Sequence, residues 1–364
     1  MAALGCDAAQ RTGPPPDGGL DAAARDLGQL DAGDGATLDA RADAAGGRDA
    51  GGDAGPGASP DTGRDGDLDA ELDAELDAGR PDLAPADAAA LPACPTFGDP
   101  VALGNIESAA IWEASGIVES RRLAGVLWTH NDSGDTARLF ALTTAGVGLG
   151  IFALAGVRAT DWEDVAIGPG PERGRPYLYV GDTGDNLRAR DTVRIIRLPE
   201  PVVDGRDAVV EQIEEFELAY PDGPHDCETL MVDPRTGDVF LVTKSPDGVS
   251  PVYRAPAPLH GGQNALEEVT RLTFGADPLP GGTLTTGGDI SPAGDTIIIR
   301  TYGSAYLWRR SPTATVAEAL TTPPCRLPLA REPQGEAIGF SASGQGYFTV
   351  SEQAGQPIYF SGRE

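Results

Sequence analysis

The chain has 364 residues and a formal net charge of −29, with 56 acidic residues against 27 lysines and arginines. This charge balance excludes a nucleic-acid partner, because binding to a phosphate backbone requires a basic face. No apolar run approaches the roughly 18 residues that span a bilayer, so no transmembrane helix is expected.

The first 93 residues are predicted to form a disordered tether. They contain 18 Asp and 2 Glu against 6 Arg, are otherwise mostly Ala and Gly, and include no aromatic residue. A segment this acidic and this poor in bulky apolar groups cannot offset its chain entropy by burial. Residues 94–364 contain every aromatic residue of the chain and are long enough for one sizeable domain.

The N-terminal sequence Ala3-Leu4-Gly5-Cys6 resembles a bacterial lipobox, whose cysteine is lipidated after signal-peptide cleavage. The charged and hydrophobic regions of a complete signal peptide do not precede Cys6, and a chance cysteine in an Ala-rich segment is the alternative. Because an acidic, flexible segment follows directly, we predict an extracytoplasmic lipoprotein of the cell envelope or outer membrane. A secreted protein is the second possibility, and contact with a membrane is expected only through the lipid anchor.

The other cysteines are Cys94, Cys227 and Cys325, and their spacing matches no metal-binding pattern. Cys94 and Cys325 are a candidate disulfide if the protein is exported. Cys227 is predicted to be a small buried thiol.

An internal repeat of 47 to 65 residues runs through the domain, and each copy offers three or four short β-prone segments. Repeats of this length with four strands each are typical of a β-propeller, so the predicted fold is all-β. A β-sandwich is the alternative, but it does not explain a five-fold recurrence. The copies begin at Glu113, Glu163, Glu228, Asp289 and Glu336.

Five blades are predicted, with the ring closed by a strand from the N-terminus of the domain. The last copy supplies only three strands, and the extra strand Val101–Asn105 precedes the first copy. Pairing the two ends in this way leaves no free sheet edge. A six-bladed ring is the alternative, with the extra blade in the long spacers at 200–225 or 255–285. The domain is expected to be a monomer.

Polar residues recur at the start of the first strand and at the end of the second strand of each copy. In a propeller both positions lie on the face where the channel opens, which we call the mouth. The first column reads Glu113, Glu163, Glu228, Asp289 and Glu336. The second column reads Asn131, Asp182, Lys244, Tyr302 and Glu352.

Carboxylates gathered at one mouth repel one another unless a cation neutralises them. Ca²⁺ takes six to eight oxygen ligands, so the columns predict a calcium site. Its predicted ligands are Glu113, Glu163, Glu228, Asp289, Glu336, Asn131 and Asp182. The alternative is that these residues cap strands and accept bonds from neighbouring amides. The two columns also predict that Glu163 and Asp182 approach each other, facing Glu113 and Asn131.

Two further residues at the mouth are candidates for catalysis. His130 precedes the loop sequence NDSGD and would act as a general base. Lys244, the only lysine of the chain, would hold a developing oxyanion.

The sequences WTHNDSGD, DWEDVAIGP, YLYVGDTGDN and QGEAIGFSASGQGYFTVSE resemble those of bacterial, mostly extracytoplasmic β-propeller proteins. They are similar to propellers of the phytase-like esterase type and, more distantly, to gluconolactonase-type propellers. The resemblance implies a mouth that supports a divalent metal, with Glu113, Glu163, Asn131 and Asp182 as the nearest matches. The chain departs from these propellers in its five predicted blades and in lacking a basic phosphate-binding cluster.

Two classes of function follow from this pattern. The first is a tethered binding module whose mouth takes a protein, a glycan or a small molecule. The alternative is a metal-dependent hydrolase of esters, lactones or phosphoesters. Because the sequence shows no recognisable nucleophile–base spacing, we favour the binding module; the fold alone does not decide between the two.

Overall fold

A computed structural model of the chain describes residues 93–364. The predicted tether and Cys6 lie outside the described residues. Among the residues described, no helix has the length and hydropathy needed to cross a bilayer.

The described residues form a five-bladed β-propeller, as predicted. Each blade is an antiparallel sheet of four consecutive or nearly consecutive strands, to which two blades add a short parallel outer strand. The fifth blade is completed by the first strand of the domain.

The blades are listed from the inner strand outward. Blade 1 contains β2 (Ala114–Glu119), β3 (Val126–Asn131), β4 (Arg138–Thr143), β5 (Gly148–Leu154) and β9 (Ala208–Val210). Blade 2 contains β6 (Trp162–Pro169), β7 (Pro176–Asp182), β8 (Val193–Pro199), β10 (Glu214–Ala219) and β14 (Gln263–Ala265). Blade 3 contains β11 (Cys227–Val232), β12 (Val239–Thr243), β13 (Val249–Ala255) and β15 (Glu267–Thr273). Blade 4 contains β16 (Thr285–Ile290), β17 (Thr296–Thr301), β18 (Ala305–Arg309) and β19 (Cys325–Leu327), with the helix α1 (Val316–Leu320) before its last strand. Blade 5 contains β20 (Gly335–Phe340), β21 (Gly346–Ser351), β22 (Pro357–Gly362) and β1 (Val101–Asn105).

The long spacers that suggested a sixth blade supply outer strands instead. Residues 200–225 contain β9 and β10, and residues 255–285 contain β14 and β15. Strand β9 pairs with β5 of blade 1, and β14 pairs with β10 of blade 2. Each short strand therefore crosses back to the preceding blade, and the six-bladed alternative is wrong.

Ring closure follows the prediction in detail. β1 pairs antiparallel with β22, and Val101 lies opposite Phe360. Just before β1, a disulfide joins Cys94 to Cys325 in the outer strand of blade 4. The N-terminal end of the domain is thus hydrogen-bonded to blade 5 and covalently joined to blade 4. Cys227 is a free buried thiol, as predicted.

The hydrophobic core is divided among the blade interfaces. The described residues contain five buried apolar clusters, one between each pair of neighbouring blades. Trp128 of blade 1 and Trp162 of blade 2 belong to the same cluster and are fully buried. The first six residues of each of the five inner strands are buried, so a rigid, close-packed scaffold places the polar side chains at their mouth ends.

Candidate metal centre

A β-bulge recurs where the inner strand of every blade begins. In blade 2, Trp162 lies opposite Asp182 but Asp164 lies opposite Gly181, so Glu163 is an extra residue in the ladder. The other four inner strands show the same register shift at their second residue or next to it. A bulge bends the strand and re-aims its side chain, and bulges are common beside functional sites. The second residues are Ser115, Glu163, Glu228, Thr286 and Glu336.

This register corrects the first predicted column at two of its five positions. Ser115 and Thr286 take the places that sequence counting gave to Glu113 and Asp289. Glu113 lies just before β2, accepts a hydrogen bond from Trp112 Nε1 at 3.1 Å and stays beside the mouth, where Glu336 raises its pKa in addition to the effect of burial.

Asp289 lies deeper in the ring and does not reach the mouth. Its carboxylate accepts bonds at 2.8 Å from the amides of Ile290 and of Phe340 in the next blade. It is 1 % exposed. The expectation that Asp289 lies in the mouth column is therefore wrong, because β16 begins at Thr285 and its bulge lies at Thr286, three residues before Asp289.

Asn131 and Asp182 hold the loops that lead into the inner strands. Asn131 Oδ1 accepts bonds from the amides of Trp112 and Glu113, at 3.0 and 3.2 Å. These contacts match the strand-capping alternative.

Asp182 plays the same part in blade 2. Its carboxylate accepts bonds from the Thr160 and Asp161 amides and forms ion pairs with Arg190 at 2.8 Å and Arg194 at 2.5 Å. The expected approach of Glu163 to Asp182 is not what the structure shows, because Asp182 is occupied by the two arginines and Glu163 faces other carboxylates.

Seven carboxylates converge at the mouth in three overlapping groups. Within each group the ligand oxygens lie within 4.8 Å of one another. The groups are Asp132, Asp161 and Glu163; Asp132, Glu336 and Glu352; and Glu163, Asp226 and Glu228. Three of the predicted ligands, Glu163, Glu228 and Glu336, are therefore brought together.

The predicted metal ligands did not include Asp132, Asp161 or Asp226. Asp132 directly follows β3, while Asp161 and Asp226 each precede an inner-strand glutamate by two residues. The signal that could have found the last two is the repeated Asp-x-Glu at 161–163 and 226–228.

One lysine reaches the acidic cluster from blade 3. Lys244 Nζ forms a short contact with Glu228 Oε1 and donates to the Tyr302 hydroxyl at 3.1 Å. Tyr302 in turn donates to Glu336 Oε1 at 2.8 Å. Lys244 and Tyr302 therefore connect blades 3, 4 and 5 across the mouth.

Five of the carboxyl groups of the cluster have pKa values above their ordinary range: Asp132, Asp161, Glu163, Glu228 and Glu352. Burial raises the pKa values of Glu163 and Glu228 well above the ordinary range. Burial and the charge of Glu336 raise the pKa of Asp132 to about 8 and that of Glu352 to about 10. Negative charge is in excess at the mouth, and the donors are all oxygens, which is the ligand set that hard divalent cations prefer.

His130 does not lie at the mouth. The ring is fully buried beside Trp162, with a centroid separation of 5.8 Å, and Nδ1 lies 2.8 Å from the Asn131 carbonyl oxygen. Burial lowers the pKa of His130 to about 4. The expectation that His130 borders the mouth as a general base is wrong, since its side chain points into the interface between blades 1 and 2.

The stability of the metal-free protein is expected to fall as pH rises from about 6.5 to 10. Burial raises the folded-state pKa of Asp132 to about 8, and burial with the charge of Glu336 raises that of Glu352 to about 10, so the folded state binds more protons than the unfolded chain across this window. His130 opposes this fall only up to about pH 7.5, because its pKa in the unfolded chain is 6.5 and its folded-state pKa is about 4. Thermal melts in chelator-treated buffers would test this, and a melting temperature that rises with pH would contradict it.

No family model matches the sequence, and a search of curated proteins found no similar chain. The resemblance to phytase-like and gluconolactonase-type propellers thus stays a prediction.

Proposed function

We propose that the domain is a cation-dependent binding module, tethered in the cell envelope, whose ligand docks at the propeller mouth. The observation that supports this most strongly is the convergence of seven largely buried carboxylates on one face of a rigid ring. If these carboxylates served only in structural ion pairs, a comparable number of lysine or arginine side chains would have to face them. Among the described residues, Lys244 is the one basic side chain that forms an ion pair with a member of the three groups.

The first cation is assigned to a set that we name the Asp132 centre. Asp132 belongs to two of the three groups, so the carboxylates of both groups can bind a single ion beside it. The centre consists of Asp132, Asp161, Glu163, Glu336 and Glu352. Five carboxylates from three blades suit Ca²⁺, which accepts six to eight oxygens in flexible geometry.

A bound cation would supply positive charge and open coordination positions for ligand oxygens. The protein's own contribution is to place the carboxylates on bulged strand ends and to hold Lys244 beside them. Lys244 and Tyr302 add hydrogen-bonding groups at the same mouth. Ligands rich in oxygen, such as glycans, small carboxylic acids or acidic segments of proteins, fit this chemistry.

Two observations support the proposed location outside the cytoplasm. The Cys94–Cys325 disulfide is of a kind that persists in oxidising compartments. The acidic segment at 7–93 follows the lipobox-like sequence at Cys6 and would act as a spacer.

The hydrolase alternative receives less support than the binding module. Its predicted base, His130, is buried away from the mouth. Its predicted oxyanion-binding residue, Lys244, is at the mouth but is engaged by Glu228 and Tyr302.

Calcium should stabilise the folded protein. At a free calcium concentration 100 times the Kd, linkage adds about 2.7 kcal/mol to the free energy of unfolding. For a domain of this size that corresponds to about 5 °C in Tm. The measurement is a calcium titration of the melting temperature after chelator treatment.

The matched control is Asp247→Asn, which removes an exposed acidic side chain from the loop after Lys244 without touching the three groups. This variant should respond to calcium as the unmodified protein does. A melting temperature that does not change with Ca²⁺, Mg²⁺ or Mn²⁺ would overturn the proposed function.

A further inference from the structure

We propose that the mouth holds a second divalent cation at Glu163, Asp226 and Glu228, which we name the Glu228 centre. The ligand oxygens of these three residues lie within 4.8 Å of one another. The inference rests on the proposed function, because the two centres share Glu163. It goes beyond that function by assigning two ions and a bridging carboxylate.

The observation that points to a second ion is the state of the Glu228 carboxylate. Glu228 is 4 % exposed, and its Oε1 atom is taken by Lys244. Its Oε2 atom is buried and has no hydrogen-bond partner among the described residues. A buried carboxylate oxygen without a partner is costly, and a cation bound between Glu228, Glu163 and Asp226 would satisfy it.

The other two ligands of the Glu228 centre are already held in place. Asp226 Oδ1 accepts the Asp185 amide at 2.8 Å, which leaves Oδ2 for an ion. Gly184 packs so closely on Glu163 that a Cβ atom there would lie 2.0 Å from Glu163 Oε1. The glycine therefore makes room for the Glu163 carboxylate between the two centres.

Charge balance also favours two ions over one. One divalent cation and Lys244 together supply three positive charges against the seven carboxylates of the mouth. A second divalent cation brings the positive charge to five. The remaining negative excess is small enough for bound protons to balance.

The bridging role of Glu163 follows from its place in the ring. It belongs both to the group with Asp132 and Asp161 and to the group with Asp226 and Glu228. Its bulge position puts the carboxylate at the mouth, and Ser115 Oγ of the neighbouring blade donates to its backbone carbonyl. A carboxylate has two oxygens and can serve one ion with each.

The test is the stoichiometry of calcium binding to the full chain, measured by equilibrium dialysis in physiological salt with calcium chloride alone. The baseline is the double variant Asp132→Asn/Asp226→Asn, which corrects for weak binding to the acidic segment at 1–93. Above this baseline the unmodified protein should bind two ions. Asp226→Asn should bind one, and Asp247→Asn should bind two.

The outcomes separate the two proposals. One ion on the unmodified protein, unchanged in Asp226→Asn, would overturn the Glu228 centre and leave the Asp132 centre standing. No ion above the baseline would overturn the proposed function and the second centre together. Because Asn keeps an oxygen for the Asp185 amide, the variant should fold; if it does not, Glu228→Gln replaces it, and two ions on that variant would overturn the inference.

Discussion

Glu163→Gln should change the stability of the protein in opposite directions with and without calcium. Without metal, Glu163 is a buried carboxylate whose pKa is raised by burial and by Glu228, Asp132 and Asp161. Replacing it with a neutral amide of the same shape removes that repulsion, so the metal-free variant should be more stable by about 1–2 kcal/mol at pH 8.

With calcium the same substitution removes the carboxylate that both proposed centres share. At a calcium concentration 100 times the unmodified protein's Kd, each bound ion adds about 2.7 kcal/mol to the free energy of unfolding. The variant should therefore lose most of the calcium-induced rise in melting temperature. As calcium is added, the stability of the variant should therefore begin above that of the unmodified protein and end below it.

Denaturant titrations at zero and saturating calcium test both halves of this prediction. Glu217→Gln is the matched control, since Glu217 is an exposed glutamate on β10 of blade 2. This control should leave the free energy of unfolding unchanged both without calcium and at saturating calcium. A Glu163→Gln variant that is less stable in both conditions would show that the carboxylate has a purely structural role.

The fold was largely predictable because propeller repeats leave several independent signals. Short β-prone segments, turns and the five-fold recurrence all indicated the same architecture. Ring closure by Val101–Asn105 followed from counting strands, since the fifth copy lacked one and a free edge is unfavourable. The outer strands β9 and β14 were not predictable, because each is three residues long and pairs with a blade to which its own spacer does not belong.

The site was predicted in outline but not in register. Counting from repeat starts found Glu163, Glu228 and Glu336, which occupy the bulges, and misplaced Asp289. A bulge adds one residue to one strand, so simple alternation no longer tells which side chain faces the mouth. The chemistry of a position also depends on its partners. Asp182 forms ion pairs with two arginines, while burial and the charge of Asp226 raise the pKa of Asp161 to about 6.

The position of His130 shows a different limit of sequence reasoning. A histidine before a polar loop suggested an exposed base, yet β3 is buried along its whole length. The residue that reaches the mouth from this strand end is Asp132, two positions later. In a strand next to a close-packed inner strand, even polar side chains are enclosed, and only residues beyond the strand end reach the mouth.

Removing the disulfide should cost more stability than any single change at the mouth. Cys94 and Cys325 are 231 residues apart in sequence, so their bond ties the unfolded chain into a very long loop. By the chain-entropy argument a loop of this length gives about 5 kcal/mol, and native disulfides of small domains typically give 2–5 kcal/mol. The bond also holds the segment before β1, which closes the ring on β22. We expect Cys94→Ser to lower the free energy of unfolding by about 4 kcal/mol.

Cys94→Ser is the cleaner of the two possible substitutions, because Cys94 is exposed whereas Cys325 is 4 % exposed and a serine there would bury a hydroxyl. Denaturant titration with and without a reductant provides the internal control. Reductant should destabilise the unmodified protein by the same amount as the substitution and should leave Cys94→Ser unchanged. Cys227 is buried and unpaired, so its reduction state does not enter the comparison. Equal stability of Cys94→Ser and the unmodified protein would mean that hydrogen bonding between β1 and β22 closes the ring without help from the disulfide.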